Sequence, residues 1–223
     1  MDPDRSHDAF IVFAREPRLG EVKQRLAAEL GDRRALQIYE RLLDRSLRLA
    51  GSWLRDSDRS TPARRLIIAA AGATSQGRLM EFCRHSGASL IHQPAGDLGE
   101  RMRWAIDSAL ADGASRVVLA GCDCPYLTLD DRRQAFRMLE SSQIVLAPTE
   151  DGGYCLIGMR ASHPHLFESI DWGSEQVHQQ TLARASALRI AHLPLQADID
   201  HLSDWHRWCE SRAGQGLAES WSA

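Results

Sequence analysis

With 223 residues, 43% apolar and 26% charged, the chain is sized for one α/β domain with a substantial core and a solvated surface. A net charge of −3 leaves no basic field of the kind nucleic acid binding requires. No apolar run approaches the roughly 20 residues that span a bilayer, so no membrane partner is expected. The polar start, Met1-Asp2-Pro3-Asp4-Arg5, lacks a signal-peptide core. Five cysteines, an odd number, suit a cytoplasmic protein with reduced thiols.

Residues 9–14 read as a first buried strand, with a loop over 15–20 behind it. Val22, Leu26 and Leu30 recur every fourth residue and Gly31 ends the run, predicting a short amphipathic helix. A second helix carries Leu36, Tyr39, Leu43 and Leu47, and the polar stretch 51–63 reads as a surface loop. A strand over 65–70, a helix over 76–85 and a strand over 89–92 follow. Asp97, answered by Glu100, opens a helix with Met102, Ile106, Ala109 and Leu110 on its apolar face. After the buried strand 116–120, Thr128 to Asp131 is a second cap-like start, for a helix through Leu139. Strands are predicted at 143–147, 154–158 and 189–193, a helix capped by Ser174 precedes the last of these, and a final helix follows Asp204. Trp172, Trp205 and Trp208 read as core residues. The alternation predicts a single domain over 1–223: three layers, α/β/α, around a mostly parallel sheet. The turn at 151–153 suggests one antiparallel pair.

One carboxylate, Asp123 in Gly121-Cys122-Asp123-Cys124-Pro125, sits where a central strand runs out into a loop. Open α/β sheets bind ligands there, and an acid in that place suits a divalent cation held against a phosphate; a turn cap is the plain alternative. Arg15, Arg18, Lys23 and Arg25 cluster around Gly20. They form either an anion site built on charge and close backbone approach, or a solvated basic turn. Asp198 and Asp200 share a face of extended chain, so either is a candidate second cation ligand or a cap of the last helix. Asp151, Gly152, Gly153 and Tyr154 make a binding turn or an ordinary β-turn. Gly99 and Arg101 either cradle a base or sugar or belong to a capped helix start. The patterns G-x-x-x-x-G-K-[ST] and G-x-G-x-x-G are absent, which disfavours P-loop hydrolysis and nicotinamide redox chemistry.

Taken in order, these stretches resemble one bacterial family. The matching residues are Phe13 to Pro17 with Gly20 to Leu26, Gly96 to Met102, Gly121 to Pro125, Ala147 to Tyr154, Phe167 with Trp172, and Asp198 to Asp200 with Asp204. The family is related to the nucleotide-diphospho-sugar transferases and has a GT-A-like fold; some members are named as glycosyltransferases associated with arsenosugar biosynthesis or radical-SAM gene clusters. Gln24 stands where the family usually carries threonine. The resemblance implies a nucleotide across the carboxyl edge of the sheet, held at Arg15, Gly20, Lys23, Arg25, Gly99 and Arg101. It implies Mg²⁺ or Mn²⁺ on Asp123 and Asp200. Asp123, Lys23 and Asp151 would be catalytic, with Asp151 as candidate base, and Gly152, Gly153 and Tyr154 would line the acceptor side. The expected reaction is glycosyl transfer from a nucleotide-diphospho-sugar to a small acceptor. Two alternatives stay open. One is nucleotidyl transfer from a nucleoside triphosphate to a phosphorylated small molecule with release of pyrophosphate, which the basic loop favours. The other is a non-catalytic nucleotide-binding regulator.

Overall fold

The structure, a computed structural model, describes residues 6–56, 62–72 and 76–211. Its strands are β1 (His7–Arg15), β2 (Ala63–Ala71), β3 (Ser89–His92), β4 (Ala114–Gly121), β5 (Ile144–Pro148), β6 (Tyr154–Met159) and β7 (Ile190–His192). Its helices are α1 (Gln24–Leu30), α2 (Asp32–Arg55), α3 (Arg78–Ser86), α4 (Leu98–Ala111), α5 (Leu129–Met138), α6 (Val177–Arg184) and α7 (Leu202–Glu210), with a 3₁₀ turn at Pro164–Phe167. The seven strands form one sheet in the order β3-β2-β1-β4-β6-β5-β7. All neighbours are parallel except β6, which runs antiparallel to β4 and β5. The Asp151-Gly152-Gly153 turn therefore joins an antiparallel pair, as the sequence suggested.

Alternation along the central strands explains the layers. Phe10, Val12 and Ala14 of β1, with Val118 and Ala120 of β4, face a core shared with α2, α3 and α5. Ala9 and Ile11, with Val117 and Leu119, face the opposite core, shared with α4 and the 3₁₀ turn. This is a mostly parallel α/β sheet covered on both faces. A third apolar cluster lies outboard, where α1 and α2 meet α7 through Leu26, Ile38, Ile199, Trp205 and Trp208.

Both predicted capping boxes form: Asp97 with Glu100 starts α4, and Thr128 with Asp131 starts α5. Three expectations need correction. Helix α2 continues through Gly51 to Arg55, where a surface loop was expected, because Leu47, Ala50 and Trp53 extend its apolar stripe. Trp53 is fully buried and stacks on Phe136 at 5.0 Å between centroids. The rest of that expected loop includes 57–61, outside the described residues. Ser174 is not the cap of α6; that helix begins at Val177 behind Gln176, and Ser174 Oγ accepts from the Gln176 N–H at 3.2 Å. Asp204 lies inside α7 rather than before it, its carboxylate accepting from the His201 N–H at 2.8 Å to close a capping box. Cys122 and Cys124 follow the end of β4 at Gly121 and turn into the same apolar layer, and all five cysteines are free thiols.

Candidate functional site

In the order β3-β2-β1-β4, the chain leaves β1 on one side to build β2 and β3 and returns on the other side with β4. That reversal opens a crevice at the carboxyl ends of β1 and β4. A cleft of about 400 Å³ occupies this place. Phe13, Ala14, Met102, Asp123 and Trp172 are among the residues that line it. The end of β1 is pinned by Tyr39 of α2, whose hydroxyl donates to the Arg15 carbonyl and accepts from the Arg15 N–H, each at 2.8 Å. Glu16, one residue on, is buried and accepts from the N–H groups of Arg78 and Leu79 at 2.6 and 3.3 Å. It thereby satisfies the start of α3, which has no side-chain cap of its own.

Beside the cleft, acids from two distant points in the chain converge on one ammonium. Lys23 Nζ lies 2.8 Å from Asp200 and 3.4 Å from Asp123, with its side chain only 7% exposed. Arg25 reaches the other oxygen of Asp200 at 2.9 Å. Backbone register brings the acids together: the Ile199 N–H donates to the Asp123 carbonyl at 3.2 Å. Lys23 has φ 46° and ψ 53°, the left-handed region that disfavours a side-chain-bearing residue. Burial alone lowers the Lys23 pKa, but attraction to Asp123 and Asp200 outweighs it, and the net shift is upward. Burial likewise raises Asp200, yet Lys23 and Arg25 hold it below the ordinary carboxylate value.

Asp198 is different. It lines the cleft, and no hydrogen bond or ion pair to it is seen among the described residues. Burial, then the nearby Asp151, Asp200 and Asp123 carboxylates, push its pKa up to about 6. Carboxylates thus crowd the cleft and its margin, two of them paired with Lys23 and Arg25, a donor set of hard oxygens suited to a divalent metal. Among the described residues, no group of three or more His, Cys, Asp or Glu is gathered closely enough to hold a metal outright. Lys23 contacts two of these acids. Asp151 is tied into its turn, one oxygen accepting from Thr149 Oγ1 at 2.6 Å and the Gly153 N–H at 3.1 Å.

The predicted residues divide accordingly. Arg15, Arg101, Asp123, Asp151, Gly153 and Tyr154 line the cleft. Lys23, Arg25 and Asp200 form the charge network beside it. Gly20 sits in an exposed turn with φ +77°, and α1 behind it has only seven residues, so side chains rather than a helix terminus provide the positive charge there. Gly99 is buried beneath Trp172; a Cβ there would lie 2.5 Å from the indole. Gly152, at φ +86°, lets the backbone of Glu175 approach to where a Cβ would stand. Trp172, read from the sequence as core, is a half-buried cleft wall set edge-on to Tyr154 at 6.4 Å. Tyr39, Gln93 and Met102 also line the cleft and carried no sequence signal beyond ordinary helix or strand patterning.

Comparison with known proteins agrees with this architecture. The chain is 27% identical over 191 residues to a phosphoenolpyruvate guanylyltransferase of Sphaerobacter thermophilus, covering 84% of this chain and 86% of the relative. A solved structure described as a nucleotide-diphospho-sugar transferase from Desulfovibrio desulfuricans G20 superposes with a TM-score of 0.81 at 27% identity, over 96% of this chain and 95% of that one. The manganese complex of Rv0371c from Mycobacterium tuberculosis H37Rv shares the fold at a TM-score of 0.52 and 16% identity, over 92% of this chain and 99% of that one. Among the described residues no helix is long and apolar enough to cross a membrane. A family model matches residues 56–174, and the chain belongs to that family, DUF2064, whose description is an uncharacterised protein conserved in bacteria.

Proposed function

We propose that the protein is a nucleotidyltransferase, joining a nucleoside triphosphate to a phosphorylated small acid and releasing pyrophosphate. The observation that carries this reading is the meeting of Lys23 with Asp123 and Asp200 beside a switch-point cleft that also holds Asp198 and Arg15. The relative named as a phosphoenolpyruvate guanylyltransferase, matched over most of both chains, supports nucleotidyl over glycosyl transfer.

The chemistry fits the residues. An acceptor phosphate oxygen attacks the α-phosphorus, and the bond to the bridging oxygen of pyrophosphate breaks. The nucleophile is already anionic, so no general base is needed, and Asp151, engaged by Thr149 and Gly153, serves as a turn-fixed wall. Arg15 and Lys23 supply positive charge for the triphosphate, through positioning and electrostatics. Asp123 and Asp200 would hold Mg²⁺ or Mn²⁺ once a phosphate is present, with Asp198 adding negative charge nearby, and the bound cation would neutralise charge building on the leaving pyrophosphate. The manganese complex of a structural relative is consistent with such a cation.

Glycosyl transfer is the second reading, favoured by the name of the Desulfovibrio structure. There the acceptor is a hydroxyl, a base is required, and Asp151 is the residue placed for it. Incubation with each nucleoside triphosphate, Mg²⁺ and a panel of phosphorylated small acids, phosphoenolpyruvate included, is expected to release pyrophosphate. In Asp123→Asn the rate should fall on the order of 100-fold, about 2.7 kcal/mol of barrier. Release of nucleoside diphosphate from nucleotide-sugars, with no pyrophosphate from triphosphates, would transfer the proposal to the second reading. Nucleotide binding without turnover in either assay would leave a regulator.

A further inference from the structure

We infer that Lys23 is the site's resident counter-ion, exchanged for a divalent metal when phosphate arrives, so that the empty protein resists binding the metal alone. The inference rests on the metal-dependent reading above. The Lys23 ammonium stands between the two acids from distant chain positions, at 2.8 and 3.4 Å, with its side chain almost wholly removed from water. Its strained left-handed backbone is what aims it there: Lys23 and Ser169 are the non-glycine residues with positive φ among those described.

A bare cation entering this network meets a fixed positive charge already paired with its ligands. The ammonium must then leave both acids for a poorly hydrated space beside a doubly charged ion, which is unfavourable. A phosphate changes the balance, because the displaced ammonium gains a new anionic partner while the metal takes the acids. The two ligands therefore help each other through Lys23, and the coupling is reciprocal.

The consequence is a pair of opposite effects from one substitution. In Lys23→Met, which keeps most of the side-chain volume, Mn²⁺ alone should bind about tenfold or more tightly than to the wild type. The preformed Mn²⁺–pyrophosphate complex should bind about tenfold or more weakly. Lys23→Arg keeps the charge and should stay within about threefold of wild type for Mn²⁺ alone. Arg25→Met removes the exposed cation on Asp200 and controls for general electrostatics, with an expected change below about threefold for Mn²⁺ alone. Binding is read by the electron paramagnetic resonance signal of free Mn²⁺ and by calorimetry for the complex, so no turnover is needed. Affinities that move in the same direction in Lys23→Met, or an Arg25→Met effect as large as that of Lys23→Met, overturn the exchange while leaving the transferase reading in place. Absence of Mn²⁺ binding in all four proteins, with and without pyrophosphate, overturns both.

Discussion

Two aspartates two residues apart have opposite electrostatic fates here, and the cause is local. Asp200 points at Lys23 and Arg25 and is held below the ordinary carboxylate value, whereas burial and three neighbouring carboxylates lift Asp198 to about 6. The pH dependence follows from the sign of each shift. An unfolded aspartate titrates near 3.8 and folded Asp198 near 6, so between these values the folded chain holds more protons and stability rises as pH falls. Asp200 acts the other way, contributing stability above its unfolded value and losing it as pH falls through its lower folded value, outside the Asp198 window. Metal-free Asp198→Asn should therefore show a smaller gain in Tm than wild type between about pH 7.5 and about pH 5. Identical profiles would mean that Asp198 is not crowded by carboxylates. The place of Asp123, just past the end of a central strand and in the cleft, was legible in the sequence, because an apolar run followed by an acid marks that position in an open α/β sheet. The division of roles between Asp198 and Asp200 was not. It depends on the backbone angles of Lys23 and on the Ile199–Asp123 hydrogen bond, neither of which leaves a periodic trace.

At the level of elements, periodicity and capping chemistry carried the prediction, and it failed where polar residues ride on a buried stripe. Gly51 and Ser52 looked like a loop, yet α2 continues because Trp53 completes its apolar face. The Asp97–Glu100 box was visible, but not the reason for the small residue inside it: Gly99 leaves room for Trp172 to lie against α4 and form the cleft wall. Gly99→Ala should cost about 1–3 kcal/mol in chemical denaturation. It should also weaken nucleotide binding by displacing the indole, and full retention of both properties would show that Trp172 has slack. Helix α5 offers the reverse case. Arg132 is 2% exposed, its Nε and Nη1 lack hydrogen-bond partners among the described residues, and Nη2 meets Ser46 Oγ at a long 3.4 Å. Burial, followed by repulsion from Arg45, pushes its pKa down to about 10. Its main compensation is the face of Phe10, 5.4 Å away. Replacing a poorly compensated buried charge with an apolar chain of similar length usually helps, so Arg132→Met should raise unfolding stability by about 1–3 kcal/mol. A loss of similar size would point to a compensating partner for the guanidinium.

Across the whole molecule, the site is assembled from chain positions far apart, and the outboard cluster is what keeps its last part in place. The sheet itself supplies Arg15 and Asp123 through β1 and β4, deep in the two main cores. Asp198 and Asp200 come from the segment before α7, which is anchored by Ile199, Trp205 and Trp208 packing on α1 and α2. The same cluster includes Leu26 of α1, so it sets the position of the turn bearing Lys23 as well. Trp208 is fully buried, edge-on to Tyr126 at 4.8 Å, with the Arg45 guanidinium 5.0 Å above its ring. Removing the indole should cost about 3–5 kcal/mol of stability. Trp53→Ala, in the core beneath α2, should cost a similar amount. The two variants should nevertheless separate in function when compared at a temperature where both remain folded. Trp208→Ala loosens the elements carrying Lys23, Asp198 and Asp200, and should weaken binding of the Mn²⁺–pyrophosphate complex about tenfold or more. Trp53→Ala leaves the mutual placement of those elements intact and should stay within about threefold. Equal losses in the two variants would mean that binding tracks global stability alone, and that α7 has no particular hold on the acids.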